Sequence, residues 1–225
     1  CLRYFMSWYA HMIFGDTPTE KIIMMTDPVG GLGKSLIMSD ISQMILGSYY
    51  VRIVSGTLTP VATGFNDFTV GQRLLVLEEG ENFGSTSKTT TSILKNMVTA
   101  RKMEIRKKFR DTMFKKNRCS YAVLSNDETP ILVDENDRRI ICFKLTNPYN
   151  SLEERNTKVN EFAQMIKTPG NLANFAWYLQ NETDPWEMHQ NEALVTNALR
   201  EQAVIKRAVT TSNFLVELVN GVAEH

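Results

Sequence analysis

The chain has 225 residues, 43% of them hydrophobic, enough for one substantial domain with a modest appendage and too few for two full-size enzymatic domains. No stretch approaches the roughly 18 consecutive apolar residues of a membrane span, and no basic segment leads into an apolar one as in a secretion signal, so a soluble, unexported chain is expected. Formal net charge is zero, with 25 basic and 25 acidic residues, but residues 95–118 carry ten basic side chains against Glu104 and Asp111, a local +8 balanced by −8 elsewhere.

Residues 4–14 (YFMSWYAHMIF) predict a mostly buried helix ended by Gly15, with Pro18 just beyond. Ile22 to Thr26 reads as a buried strand, Asp27-Pro28-Val29-Gly30-Gly31 as a turn, and from Lys34 the apolar Leu36, Ile37, Ile41, Met44 and Ile45 recur at helical spacing until Gly47. Further strands are predicted at Tyr49–Val54, Arg73–Leu77, Cys119–Ser125 and Arg139–Leu145, with a helix over Thr89–Thr99. The alternation of strand and helix predicts an α/β layered sheet. Between that helix and the Cys119 strand, KMEIRKKFRDTMFKK spaces Met103, Ile105, Phe109, Met113 and Phe114 as a two-stranded ribbon, a basic β-hairpin. After Pro148 the patterns are helical to the end of the chain, and Trp177, Tyr178 and Leu179 are expected in the core. This divides the chain into a helix and linker (1–20), an α/β core (21–149) and a helical subdomain (150–225).

Three cysteines (Cys1, Cys119, Cys142) and three histidines (His11, His189, His225) are scattered too widely for a disulfide framework or a zinc site, which makes a reducing compartment the expectation. The chain opens on Cys1 rather than Met and so reads as a piece of a longer protein.

The strongest chemical signal is Pro28-Val29-Gly30-Gly31-Leu32-Gly33-Lys34-Ser35, which follows the phosphate-loop pattern G-x-x-x-x-G-K-[ST] except that Pro28 replaces the first glycine. Small residues let backbone N–H groups wrap phosphates, the following helix points its positive end at them, Lys34 reaches the β- and γ-phosphates, and the Ser35 hydroxyl binds Mg²⁺. Leu74 to Leu77 form an apolar strand running into Glu78 and Glu79, the acidic partner such a loop needs. Glu78 is expected to share the Mg²⁺ shell with Ser35, and Glu79 to orient the attacking water. Tyr121 to Ser125 lead into Asn126, whose amide can touch both γ-phosphate and water. Arg138 and Arg139 stand directly before the next apolar strand, where an arginine can reach a neighbouring subunit's γ-phosphate.

The order of phosphate loop, apolar-Glu-Glu, basic hairpin, apolar-Ser-Asn and Asp-Arg-Arg-Ile resembles the superfamily 3 helicases, most closely the helicase part of phage and large DNA virus primase-helicases and primase-polymerases. The likeness covers residues 4–147, including the aromatic first helix and Thr63-Gly64-Phe65-Asn66. It implies an AAA+-type P-loop fold, a three-layer sandwich carrying a basic β-hairpin, and an ATP hydrolase that uses ATP and Mg²⁺. It also implies a hexameric ring that moves on single-stranded DNA, cytoplasmic in a host cell or nuclear in a eukaryotic one, joined to further replication domains. By the same likeness Lys34 and Ser35 are the loop lysine and hydroxyl, Glu78 and Glu79 the acidic pair, Asn126 the sensor, and Arg139, or else Arg138, the arginine finger. The pore hairpin falls on residues 102–116, with Arg106, Lys107, Lys108, Lys115 and Lys116 nearest the DNA. Phe109 and Phe114 are available stacking aromatics whose expected role is packing within the hairpin.

Two rival readings remain at this level. A nucleotide kinase would need an acceptor pocket and an arginine-bearing lid, for which no segment is evident, and has little use for a basic hairpin. A nucleotide-dependent DNA scaffold or loader that does not unwind would share most of the motifs.

Overall fold

The computed structural model describes residues 2–55, 69–78, 87–105, 113–127, 130–131, 133, 137–190, 198, 200–201 and 203. Its first helix, α1, spans Leu2–Phe14 and turns Trp8, Tyr9, Ala10 and Met12 inward, each at most 1% exposed. Arg73 stops it: the guanidinium donates to the carbonyls of Met12 (2.8 Å), Ile13 (3.2 Å) and Gly15 (2.5 Å), the oxygens a helix end leaves without partners. Strand β1 (Ile22–Thr26) is buried at every position, as expected of a strand covered on both faces.

The helix after β1 begins as a π-wound turn, Leu36–Ile41, and becomes α-helical as α2, Ser42–Leu46. A π turn takes one residue more than an α turn and is often found beside functional groups. Tyr9 supports it from α1, donating to the Ile37 carbonyl at 3.0 Å and lying 2.7 Å from Ser42 Oγ. A short 3₁₀ turn (Ser48–Tyr50) leads into β2 (Val51–Ser55), so the strand predicted from Tyr49 begins two residues later. Then follow β3 (Leu74–Glu78), α3 (Ser87–Thr99), β4 (Lys102–Ile105), β5 (Met113–Lys116), β6 (Ser120–Ser125) and β7 (Ile140–Lys144).

The large sheet has the order β2-β3-β6-β1-β7, with every neighbouring pair parallel. Side chains alternate between its two faces. Ile23, Met25, Leu74, Val76, Ala122, Leu124 and Ile141 pack with α1 and the helix after β1. Ile22, Met24, Leu75, Leu77, Tyr121, Val123, Ile140 and Cys142 pack with Leu94 and Val98 of α3. The predicted layered α/β sheet is therefore the observed one, with helices on both faces. At about 25 cal/mol per Å², two such apolar layers are the main source of stability.

β4 and β5 form a separate antiparallel ribbon, Lys102 opposite Lys116 and Glu104 opposite Phe114. The predicted two-stranded arrangement is thus observed, while 106–112, with Arg106, Lys107, Lys108 and Phe109, lies outside the described residues. β4 buries Met103 and Ile105, whereas β5 is exposed along its whole length. Phe114 is 73% exposed, so the packing role expected for it is not what is found. Facing Glu104 rather than an apolar partner, it has no core side to turn to.

The helical part begins with α4 (Leu152–Lys167), capped by Ser151, continues through α5 (Pro169–Asn181) and reaches the short α6 (Glu187–Gln190). Leu172, Phe175 and Leu179 form the inward stripe of α5, at helical spacing, and pack against the α1 cluster. Trp177 (57% exposed) and Tyr178 (46%) fall off that stripe, which corrects the expectation that both are core aromatics; Leu179 alone of the three is buried. α6 closes against α1 through a bond from Met188 N–H to Ser7 Oγ (3.1 Å) and edge-on packing of His11 with Trp186 and His189. Among the described residues no helix is long and apolar enough to cross a membrane.

Candidate functional site

Parallel sheets bind ligands beyond the carboxyl ends of their strands, where consecutive connections leave in opposite directions. Here that point lies between β1 and β6: from β1 the chain runs out to β2 and returns through β3 and β6, then crosses β1 to reach β7. A bond from Asp27 N–H to the Ser125 carbonyl (3.0 Å) ties the two strand ends together. Beyond them lies a cavity of about 310 Å³ lined by Gly31, Gly33, Lys34, Ser35, Leu36, Glu78, Leu124, Ser125, Asn126 and Val159.

The glycine loop is built around Asp27. Its side chain is fully buried and its carboxylate accepts the N–H groups of Gly30 (2.9 Å) and Leu32 (3.1 Å), with Lys34 Nζ at 3.3 Å. The Gly30 N–H also reaches the Asp27 carbonyl at 3.0 Å, closing a turn with Pro28 second and Gly30 fourth. Proline suits that second position because its φ is already fixed near the required value. The departure from the glycine pattern at Pro28 thus has a local cause. Gly31 and Gly33 take φ of 78° and 85°, a region that side chains disfavour, and their N–H groups have no partner among the described residues.

Lys34, 8% exposed, is held between Asp27 and Asn126, whose Oδ1 accepts from Nζ at 2.8 Å. Two residues 92 apart in sequence, read separately as loop lysine and strand-end amide, therefore meet. Glu78 faces them across the cavity from the end of β3, and its Oε1 accepts from Ser39 Oγ at 2.7 Å. Ser39 was not singled out from the sequence. It reaches the carboxylate from the π-wound turn, which no apolar period reveals. Ser35 opens into the same cavity. Val29 is 61% exposed at the loop's outer bend, and Glu79 lies outside the described residues. Among the described residues no group of three or more His, Cys, Asp or Glu is placed to hold a metal.

Arg155, also missed from the sequence, belongs to this loop from outside: its Nη1 donates to the Gly30 carbonyl at 2.6 Å. Its sequence setting, LEERNTKVN, is that of an ordinary solvated helix, and Gly30 is 125 positions away.

Arg138 and Arg139 stand elsewhere. The Arg139 carbonyl accepts from Ile22 N–H (2.7 Å) at the amino end of β1, so both arginines lie at the edge of the sheet opposite the glycine loop. The Arg138 side chain is exposed, while Arg139 is half-buried and donates to the Lys95 carbonyl at 3.3 Å. Lys21 lies beside them, its Nζ bonded to the Arg138 carbonyl at 2.6 Å, and burial together with Arg138 pulls its ammonium below the usual lysine range. With Glu20, Thr99, Met188 and His189 these residues line an open hollow of about 500 Å³.

The ribbon leaves from this same edge. Asn117, 3% exposed, fastens its base by donating to the carbonyls of Met97 (3.0 Å) and Ala100 (2.8 Å) and accepting from Cys119 N–H (3.0 Å). Asp16, after α1, pairs with Lys116 and with Arg118 (2.7 Å), which holds its carboxyl below the usual range, Lys116 being the larger cause.

A model of a family of unknown function, DUF5906, matches residues 27–139, from the buried aspartate of the glycine loop to the second of the two arginines. The chain belongs to that family. Among curated proteins none matches this DUF5906 member. Solved structures of the NrS-1 C-terminal region share its fold: one apo structure superposes with a TM-score of 0.68 at 18% identity, covering 90% of this chain and 47% of that one. A second, the A form, gives 0.66 at 18% identity with 90% and 46% covered. This DUF5906 chain thus spans about half the length of the NrS-1 structures it resembles.

Proposed function

We propose that this chain is the motor part of a replication protein: a ring-forming, ATP-dependent translocase or helicase on single-stranded DNA, with an AAA+-type P-loop core of the superfamily 3 kind. The observation that carries the reading is the convergence of the glycine loop, Lys34, Ser35, Glu78 and Asn126 on one cavity at the β1/β6 strand ends. The residues fit the ligands it requires. Two glycines at positive φ have N–H groups without a partner among the described residues, available to a polyanion; Lys34 needs only to exchange a partner for a phosphate oxygen, and the volume suits part of a nucleotide. Glu78 spends one oxygen on Ser39 and has no other bond among the described residues, leaving it and Ser35 to hold Mg²⁺. Bound there, Mg²⁺ would neutralise charge building on the phosphates. Asn126, already on Lys34, orients the γ-phosphate and the attacking water, with Glu79 in the neighbouring position on the chain as the base. Phosphoryl transfer asks mainly for such positioning.

Among the described residues Arg138 and Arg139, the two arginines read as fingers, are not at this cavity but at the far edge of the sheet. In a ring that edge meets the next subunit's cavity. Arg138 is the better placed to project across, being exposed where Arg139 is anchored, which reverses the order of preference read from the sequence. β5, with Lys115, Lys116 and Phe114 in solvent, supplies charge and a stacking face for a single strand.

The decisive experiment is steady-state ATP hydrolysis with and without single-stranded DNA, at low and high protein concentration, beside unwinding of a forked duplex. Stimulation by DNA, steep concentration dependence and strand separation are expected. Hydrolysis with no strand separation returns the scaffold or loader reading, and hydrolysis indifferent to both DNA and concentration returns the kinase.

A further inference from the structure

The first turn of α4 is fixed by a reciprocal cap: Glu154 N–H donates to Ser151 Oγ (3.1 Å), and the Glu154 carboxylate accepts from Asn150 N–H (3.0 Å). The next residue, Arg155, is thereby aimed at the glycine loop. It is 9% exposed, its Nη1 donates to the Gly30 carbonyl at 2.6 Å, and its Nη2 has only Asn156 Oδ1 at 3.5 Å. Nε has no partner, and no carboxylate pairs with the guanidinium among the described residues. A buried cation without a counter-ion is costly, so its retention against a backbone carbonyl needs a reason.

The peptide between Gly30 and Gly31 supplies it. A trans peptide is planar, with its C=O and N–H pointing in opposite directions. Arg155 holds the Gly30 carbonyl on its own side, which turns the Gly31 N–H away from the guanidinium; Gly31 lines the cavity, as does Val159 farther along α4. With φ of 78°, Gly31 is a residue at which this peptide can readily flip. A Cβ there would stand 3.1 Å from the guanidinium carbon, so the glycine is also what lets Arg155 approach.

We propose that Arg155 is a positioning residue: it sets the Gly30–Gly31 peptide in the orientation that presents the Gly31 N–H to the phosphates, and so couples nucleotide binding to the docking of α4. The proposal rests on the nucleotide-site reading above. Because coupling is reciprocal, nucleotide must tighten α4 by the same factor by which docked α4 tightens nucleotide.

The test is ATP affinity together with hydrogen exchange over 152–167, on the full chain, for the wild type, Arg155→Met and Arg155→Lys. Wild-type α4 should gain protection when Mg²⁺–ATP is added. Arg155→Met should bind ATP about tenfold to a hundredfold more weakly, as loss of a charge-assisted bond implies, and should lose the nucleotide-dependent protection while keeping its far-ultraviolet circular dichroism. Arg155→Lys, which keeps the charge but not the planar fork, should fall between and carries the test if the methionine variant does not fold. Variant affinities within twofold of wild type, or ATP-indifferent α4 protection in a wild type that binds ATP, overturn the proposal alone. A wild type that binds no nucleotide overturns the site reading with it.

Discussion

Lys34 already has two partners, and its ammonium must release at least one to reach a phosphate. Lys34→Ala should therefore lower ATP turnover by at least about a hundredfold, the usual cost of removing a charge aimed at the transition state. Asn126→Ala leaves Lys34 on Asp27 alone and should lower turnover more than it raises KM; phosphate release at saturating and limiting ATP separates the two. Two cysteines make a contrasting residue-scale case. Cys119 and Cys142 are buried and their thiols are pushed up to about 12, chiefly by burial, so iodoacetamide should label neither until the chain unfolds, read by mass of the cysteine peptides. Lys34, Ser35, Glu78 and Asn126 were legible in sequence because each stands at the end of an apolar strand or in the loop after one, where a local pattern marks it. Asp27, Ser39 and Arg155 were not. Asp27 also follows an apolar strand, but the loop pattern starts after it and calls for no acid there; the roles of Ser39 and Arg155 depend on what a π-wound helix or a distant cap brings near, and their neighbours in sequence resemble those of any serine or arginine.

Among the elements, the β4–β5 ribbon and the α1–α6 contact make opposite kinds of prediction. β5 has no buried residue, so substitutions on it should change DNA binding while leaving stability within about half a kcal/mol. Neutralising about four phosphates gives a log-affinity against log-salt slope near −3, and Lys115→Ala with Lys116→Ala should reduce that slope by roughly 1 or more. Phe114→Ala should weaken binding by about 1–3 kcal/mol with the slope unchanged, since stacking carries no counterion. The α1–α6 contact responds to protons instead. His11 and His189 have ring centroids 5.3 Å apart, and burial holds both below the usual histidine range. The unfolded chain binds protons more readily than the folded one, so stability is full above about pH 6.5 and is lost as pH falls through and below it. Thermal midpoints between roughly pH 8 and 5 should slope downward, and His11→Gln with His189→Gln should flatten that slope. The sequence announced the ribbon through its charge and spacing. It gave no sign that Trp177 and Tyr178 turn outward, because the apolar pattern of α5 is wider than the stripe it buries.

For the whole molecule, the separation of the two edges governs the prediction. The glycine loop is at the carboxyl ends of the strands, and Arg138, Arg139 and the ribbon base are at the amino ends. An arginine that acts only across subunits should show it on mixing: Arg138→Ala chains added to Lys34→Ala chains should regain part of the activity each lacks, because some interfaces then combine an intact loop with an intact arginine. Equal mixtures assayed for DNA-stimulated phosphate release measure this, and no recovery would place the arginines outside the chemistry. The layered α/β sheet was readable in advance because parallel strands buried on both faces give short, unbroken apolar runs. Strand order was not, since each strand looks alike and only the crossing connections distinguish their places.

β6 (Ser120–Ser125) joins these two edges, lying between Asn117 at the ribbon base and Asn126 in the cavity, and all six of its residues are buried. A strand with no free face has no position at which evolution can experiment cheaply. Its length, about 20 Å at 3.3 Å per residue, sets the distance between the two ends, and substitutions that spare the core are confined to the asparagine ends and the loops beyond them. Under the proposed reading, the ribbon and the glycine loop can therefore be altered separately, with the same strut left standing between them.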